Sequence, residues 1–191
     1  MKQKILSETI YHKIIALSKT EVGKLNYAEN FQLVEKNTGQ VLNANFFGMT
    51  VENEIKLLKI ANAINDLFVK FIRVEDYDSK NKLIVLERLY PIPFNYYKLN
   101  NRKKLFLDFK IKIKELHENS FIHGDLLRPR YNPPECFSNI VLTKKGILLI
   151  DSGFSKLNGL NSSEEEFNSL LYQETQEINS FEEYFLNSLK G

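Results

Sequence analysis

The 191-residue sequence predicts an α+β fold in two parts, and three observations carry that expectation. The first ninety residues hold short runs of β-branched and aromatic residues separated by turn residues, with one helical segment among them. Pro91 and Pro93 then break the sheet pattern. Beyond them lie a long amphipathic helix, three short apolar runs and an acid-capped helical tail. The expected division is an arm and a small antiparallel-sheet lobe over 1–90, followed by a mainly helical lobe over 91–191.

Taken in order, Ile5, Ile10, Ile14, Ile15 and Leu17 recur at roughly helical spacing and predict a short amphipathic helix or arm. Phe31 to Val34 and Val41-Leu42 flank Asn37-Thr38-Gly39, which predicts two strands around a turn, with a third strand before Gly23. Thr50 is a capping residue, and Val51, Ile55 and Leu58 share one face of the helix that follows it. Phe68 to Val74 and Leu83 to Leu86 read as two more strands joined by a charged turn. From Asn100 to Glu118 the apolar positions Leu105, Phe109, Ile113 and Leu116 predict a helix, its interleaved lysines forming a solvated face. Phe121-Ile122, Ile140 to Leu142 and Ile147 to Ile150 read as short buried strands, the last two joined at Gly146. Ser163 to Glu166 is a capping box, and Phe167, Leu170, Leu171, Ile178, Phe181, Phe185 and Leu189 supply the apolar face of one or two closing helices.

Composition narrows the function classes. A hydrophobic content of 43% with 26% charged residues is ordinary for a globular protein, and a net charge of +2 is too mild to argue for nucleic acid. A single cysteine, Cys136, excludes an intramolecular disulfide, and the three histidines show no zinc spacing. Glu8, His12 and Lys13 interrupt the opening residues before an apolar run forms, so neither a signal peptide nor a membrane span is expected, and the expected location is cytoplasmic.

The chemistry concentrates between His117 and Ser155. Asp125, Asn139 and Asp151 each adjoin one of the short apolar runs, so their oxygens leave the core at strand ends. Hard oxygen ligands in that number suit Mg²⁺, which takes one or two carboxylates and completes its shell with water and phosphate. The ordered series His123-Gly124-Asp125, Asn139 and Asp151-Ser152-Gly153 resembles the protein-kinase superfamily's catalytic-loop Asp, metal-binding Asn and DFG Asp. Its His-Gly-Asp form is closer to the small-molecule and atypical kinases than to the His-Arg-Asp form.

The resemblance implies a two-lobed protein-kinase-like fold with ATP and Mg²⁺ as cofactors. Asp125 and His123 become the catalytic pair, and Asn139 and Asp151 the metal ligands. Gly23, Lys24 and their neighbours are similar to the glycine-rich phosphate loop, with Leu25 and Ala28 where two glycines would stand. Asn45 then falls where the family's nucleotide lysine belongs, and Glu54 is the helix glutamate that would pair with it. On that alignment Glu54 lacks a partner. Glu87 and Leu89 mark the hinge, where backbone groups would bind the adenine edge. The family spaces its Asp and Asn five apart; here Asp125 and Asn139 are fourteen apart, with a polar, proline-rich insertion over 128–136. Arg128 and Arg130 in that insertion would supply the positive charge missing at Asn45.

Too little chain follows Gly153 for a full peptide-substrate platform, so the lobe resembles those of minimal bacterial effector kinases. The leading expectation is an ATP- and Mg²⁺-dependent phosphotransferase acting on a protein or small-molecule hydroxyl. The alternative is a pseudokinase that binds nucleotide or a protein partner, through the closing helix or the 128–136 loop. An intermediate reading keeps the metal site but transfers AMP.

Overall fold

The computed structural model describes residues 4–8, 12–26, 32–34, 41–43, 50–78 and 81–188. The chain forms two units: residues 1–59 with 70–89, and residues 60–69 with 90–191.

The first unit is built on a five-stranded antiparallel sheet in the order β1-β2-β3-β7-β6. Its strands are β1 (Lys4–Glu8), β2 (His12–Ala16), β3 (Glu21–Asn26), β6 (Phe71–Asp76) and β7 (Lys82–Glu87). A separate pair, β4 (Gln32–Val34) and β5 (Val41–Asn43), is antiparallel with Leu33 opposite Leu42, as the sequence predicts. The opening residues correct an expectation: they form β1 and β2, not a helix. Ile15 is the reason, because it sits opposite Gly23 on β3 and packs with Leu25, Leu83 and Val85 in a buried cluster. A strand places alternate residues on one face, and burying Ile15 among strand partners outweighs weak helical spacing.

Helix α1 (Val51–Ile64) follows, with the Thr50 hydroxyl accepting from the Asn53 N–H at 3.1 Å. Its last residues and the segment to Val69 belong to the second unit. There Phe68 bridges to Leu149, and Val69 N–H donates to the Leu149 carbonyl at 2.8 Å.

The second unit contains helices α2 (Leu99–Glu118) and α3 (Glu164–Asn187). Its strand pairs are β9 (Ile140–Thr143) with β10 (Gly146–Leu149), and β8 (Phe121–Ile122) with β11 (Lys156–Leu157). Ser163 caps α3 by accepting from Glu166 N–H. The core is aromatic: Phe181 lies within 6.0 Å, centroid to centroid, of Phe94, Phe106, Phe109, Phe137 and Phe185. Most of these pairs are tilted or edge-on, the arrangement ring quadrupoles favour. Among the described residues no helix is long and apolar enough to cross a membrane.

Arg102 joins the two helices. It is buried, and its Nη1 donates to the Phe185 carbonyl at 2.7 Å, the Ser188 carbonyl at 2.6 Å and the Ser188 hydroxyl at 2.7 Å. A cation at a helix C-terminus meets carbonyls that have no partner within the helix. Arg102→Met keeps the apolar stem but strips these acceptors of their donor, at about 1–3 kcal/mol for each one left buried. The expected loss is about 3 kcal/mol, read as a lower urea midpoint at unchanged slope.

Candidate functional site

The β9–β10 hairpin gathers the polar residues of the second unit. Leu149 lies opposite Ile140, so Asn139 enters the hairpin and Asp151 leaves it at the same end. Ile150 N–H donates to the Asn139 carbonyl at 3.0 Å and fixes that juxtaposition. Asp151 has φ 64° and ψ 80° and opens a single 3-10 turn over Ser152–Phe154. That left-handed backbone is uncommon for a residue with a Cβ and turns the side chain out of the strand direction.

The loop carrying Asp125 is tied to the same end. His123 is fully buried and stacks on Phe68 with centroids 5.4 Å apart. Its Nε2–H donates to the Ile150 carbonyl at 2.8 Å, while Nδ1 accepts from the Asp125 N–H at 3.2 Å. With both ring nitrogens engaged, His123 holds the loop in shape and has no nitrogen to offer a substrate. Asn139 Nδ2 donates to the Asp125 carbonyl at 2.7 Å and to its Oδ2 at 2.8 Å. Arg128 Nη2 reaches the same Oδ2 at 3.1 Å. Arg128 thus attends the Asp125 carboxylate, and its own N–H closes the insertion on the Cys136 carbonyl at 2.8 Å.

Gly124 explains the His-Gly-Asp form. Its φ is 79°, and a Cβ there would lie 2.7 Å from the Phe154 carbonyl oxygen, so no other residue fits without moving backbone.

Two carboxylates of α3 support the loop from behind. Glu174 Oε1 accepts from His117 Nε2 at 2.9 Å and from the His123 N–H at 3.2 Å, and Oε2 accepts from the Gly124 N–H at 2.7 Å. Glu177 accepts from the backbone N–H groups of Leu126 and Leu127, and from Gln173 Nε2 at 2.8 Å. Burial pushes the Glu177 carboxyl up, with Glu174 adding to the rise and the Gln173, Leu126 and Leu127 bonds opposing it. Sequence reasoning missed both acids. Their signal was nevertheless present: Glu174 stands in the row Phe167, Leu171, Ile178, Phe181, Phe185, at a position that should be apolar.

In the first unit, Lys24 Nζ lies 2.6 Å from Glu54 Oε1, and both side chains are almost fully buried. This corrects the alignment drawn from the sequence. Gly23 and Lys24 lie in the middle of β3 and not in a loop, and Glu54 on α1 is paired with Lys24. Gly23 serves packing, since a Cβ there would lie 2.6–2.8 Å from Leu83 side-chain atoms. Lys24, the next residue along the strand, projects to the opposite face. Leu25 returns to the packed face with Ile15. Asn45 and Ala28 lie outside the described residues. Glu87 closes β7, donating its N–H to the Lys70 carbonyl at 2.9 Å, and half-buried Leu89 lies two residues beyond it.

No family model matches this chain, and no curated protein matches it in sequence. Solved structures do. The PK-1 kinase of Cydia pomonella granulovirus is similar over 83% of this chain and 56% of its own, at 17% identity and a TM-score of 0.52. The Lpg2603 kinase of Legionella pneumophila, solved bound to IP6, is similar over 96% of this chain and 61% of its own, at 16% identity and a TM-score of 0.59. The chain therefore spans about three-fifths of the length of these neighbours, and the fold is protein-kinase-like.

The buried charges generate two expected outcomes. Lys24→Met breaks the buried ion pair from one side, which costs about 3–5 kcal/mol. Adding Glu54→Leu removes the stranded charge and should restore much of it, a comparison that denaturant unfolding of the two variants decides. Because the Glu177 pKa is raised on folding, its contribution to stability is fully present below about pH 4.5 and is lost as the pH climbs through the folded-state value. Glu177→Gln lacks that titration, so its stability relative to wild type should improve steadily above pH 4.5 in a pH series of unfolding midpoints.

Proposed function

We propose that this chain is an ATP- and Mg²⁺-dependent phosphotransferase that moves the γ-phosphoryl group to a hydroxyl acceptor. The observation that carries the reading is the linked array of Asp125, Asn139 and Asp151, held by Asn139 Nδ2 on Asp125 and by Ile150 on Asn139. Asn139 and Arg128 both reach the Asp125 carboxylate at Oδ2, which leaves Oδ1 for the proton of an acceptor hydroxyl. Asn139 uses its amide nitrogen toward Asp125, so its Oδ1 is the atom for a cation, with the Asp151 carboxylate as the second ligand. One amide oxygen and one carboxylate are hard donors in the number Mg²⁺ accepts from protein, and the residues present fit that ion. When bound, the metal would neutralise charge on the phosphates.

In the reaction the acceptor oxygen forms a bond to the γ-phosphorus, the bond from that phosphorus to the β,γ-bridging oxygen breaks, and the acceptor proton passes to Asp125 Oδ1. ADP leaves with the bridging oxygen. Within the first unit, Lys24 and Glu54 are the buried lysine–glutamate pair that the resemblance assigns to nucleotide phosphates, a part the sequence alignment gave to Asn45. The base of the nucleotide has a candidate seat in a cavity of about 770 Å³ in the second unit, lined by Ile92, Phe94, Val141, Leu142 and Ile150. Val141 and Ile150 lie within two residues of Asn139 and Asp151 in sequence.

The alternative of a non-catalytic binding domain rested on Asn45, on Leu25 and on the short second lobe; the buried Lys24–Glu54 pair answers the first of these and supports the catalytic reading. The acceptor class, protein side chain or small molecule, is left to experiment. ATP with Mg²⁺ at one hundred times its Kd should stabilise the protein by about 2.7 kcal/mol. Asp151→Ala should abolish that shift. Asp125→Asn should keep it while slowing phosphoryl transfer about 10²–10⁴-fold. Label that reaches product from the α-phosphate and not the γ-phosphate would replace this reading with AMP transfer.

A further inference from the structure

The backbone N–H groups of residues 123–127 all point inward to side-chain acceptors. His123 and Gly124 donate to Glu174, Asp125 donates to His123 Nδ1, and Leu126 and Leu127 donate to Glu177. Asp125 therefore sits at the centre of a loop gripped on both sides, by Glu174 at residues 123–124 and by Glu177 at residues 126–127. The two acids lie three residues apart on α3, on one face of the helix. Gln173, one turn before Glu177, donates to Oε1 and leaves Oε2 directed at Leu126 N–H, 3.3 Å away.

A carboxylate so deeply buried costs free energy unless N–H donors meet it, and an apolar side chain at 177 would fill the same space without that cost. What the acid adds is a fixed direction for the backbone leaving Asp125. Without Glu177, the stretch between the Asp125 carbonyl, held by Asn139, and the Arg128 N–H, held by Cys136, would lose the acceptor for its Leu126 and Leu127 amides and be free to turn. The displacement would fall on the Asp125 carboxylate and on Arg128, three residues further on, which bonds to it.

We propose that Glu177 is a positioning residue for phosphoryl transfer, which through the amides of Leu126 and Leu127 fixes the aim of Asp125 Oδ1. The inference rests on the phosphotransferase reading above. Glu177 makes no bond to Asn139 or Asp151, and Asn139 keeps its backbone bond with Ile150, so the effect should fall on transfer more than on ATP affinity. Misplacing a reacting group by an ångström costs about 10²-fold in rate.

The test uses the full chain with ATP, Mg²⁺ and water as acceptor, comparing Glu177→Leu with Glu177→Gln. For Glu177→Leu, kcat per folded molecule should fall about 30- to 100-fold at unchanged KM for ATP. Amide hydrogen exchange should speed up at Leu126 and Leu127 and stay slow in α2 and β9. Glu177→Gln retains an oxygen that accepts two N–H bonds, and should recover most of both effects. Should Glu177→Leu fail to fold, Gln173→Leu releases the Oε1 anchor and should give the same pattern at smaller size. Unchanged kcat per folded molecule, or unchanged protection at Leu126 and Leu127, would overturn the inference. A wild-type protein that turns over no ATP would instead overturn the phosphotransferase reading and this role with it, while the exchange measurement still reports whether the grip exists.

Discussion

The Glu174 carboxylate is the contact on which the second unit's site depends. It collects three donors from two elements: His117 at the end of α2, and the backbone of His123 and Gly124 in the loop after β8. A buried acid with fewer donors would be a burden to the fold, since its desolvation needs charge-assisted hydrogen bonds in return. With them it sets the height at which the loop crosses α3. His123 then finds Phe68 on one side and the Ile150 carbonyl at its edge, and the hairpin end bearing Asn139 and Asp151 comes into register with Asp125.

Strand parity does the corresponding work in the first unit. Successive residues of β3 face opposite ways, so Gly23 and Leu25 line the apolar cluster while Lys24 turns toward α1 and Glu54. A slip of one residue would bury Lys24 among Ile15, Leu83 and Val85 and put an apolar side chain opposite Glu54. The pair is therefore a register device as well as a charge pair. Its burial makes it sensitive to loss of either partner and tolerant of losing both.

How much of this was legible in the sequence varied with how local the signal was. The β9–β10 hairpin, α1, α2 and the capped α3 follow from apolar periodicity and from Gly146 and Ser163, which act over a few residues. That Asp125 and the hairpin end bearing Asn139 and Asp151 would come together was legible because each residue adjoins a strand of clear pattern. The first eighteen residues were misread because five apolar residues in that stretch fit two periods loosely, and strand partners settled the matter. Lys24 was misassigned for a related reason: one glycine beside a lysine suggests a phosphate loop, whereas Gly23 is small because Leu83 on the neighbouring strand needs the room. That reading left Glu54 apparently without the lysine it pairs with. Glu174 and Glu177 were overlooked since acids in a helix are normally counted as surface, and only their place in an apolar row marks them otherwise.

The order in which the chain is made gives the α3 carboxylates one more consequence. Gly124 and Glu174 are fifty residues apart in sequence. At ribosomal rates of about 5–20 residues per second, the loop waits roughly 3–10 s for its acceptors to be synthesised. Until α3 has emerged and docked, the amides of His123, Gly124, Leu126 and Leu127 lack the acceptors they have in the folded chain. The loop around Asp125 can therefore reach its final form only after α3 has been made, later than the strands of the N-terminal sheet leave the ribosome.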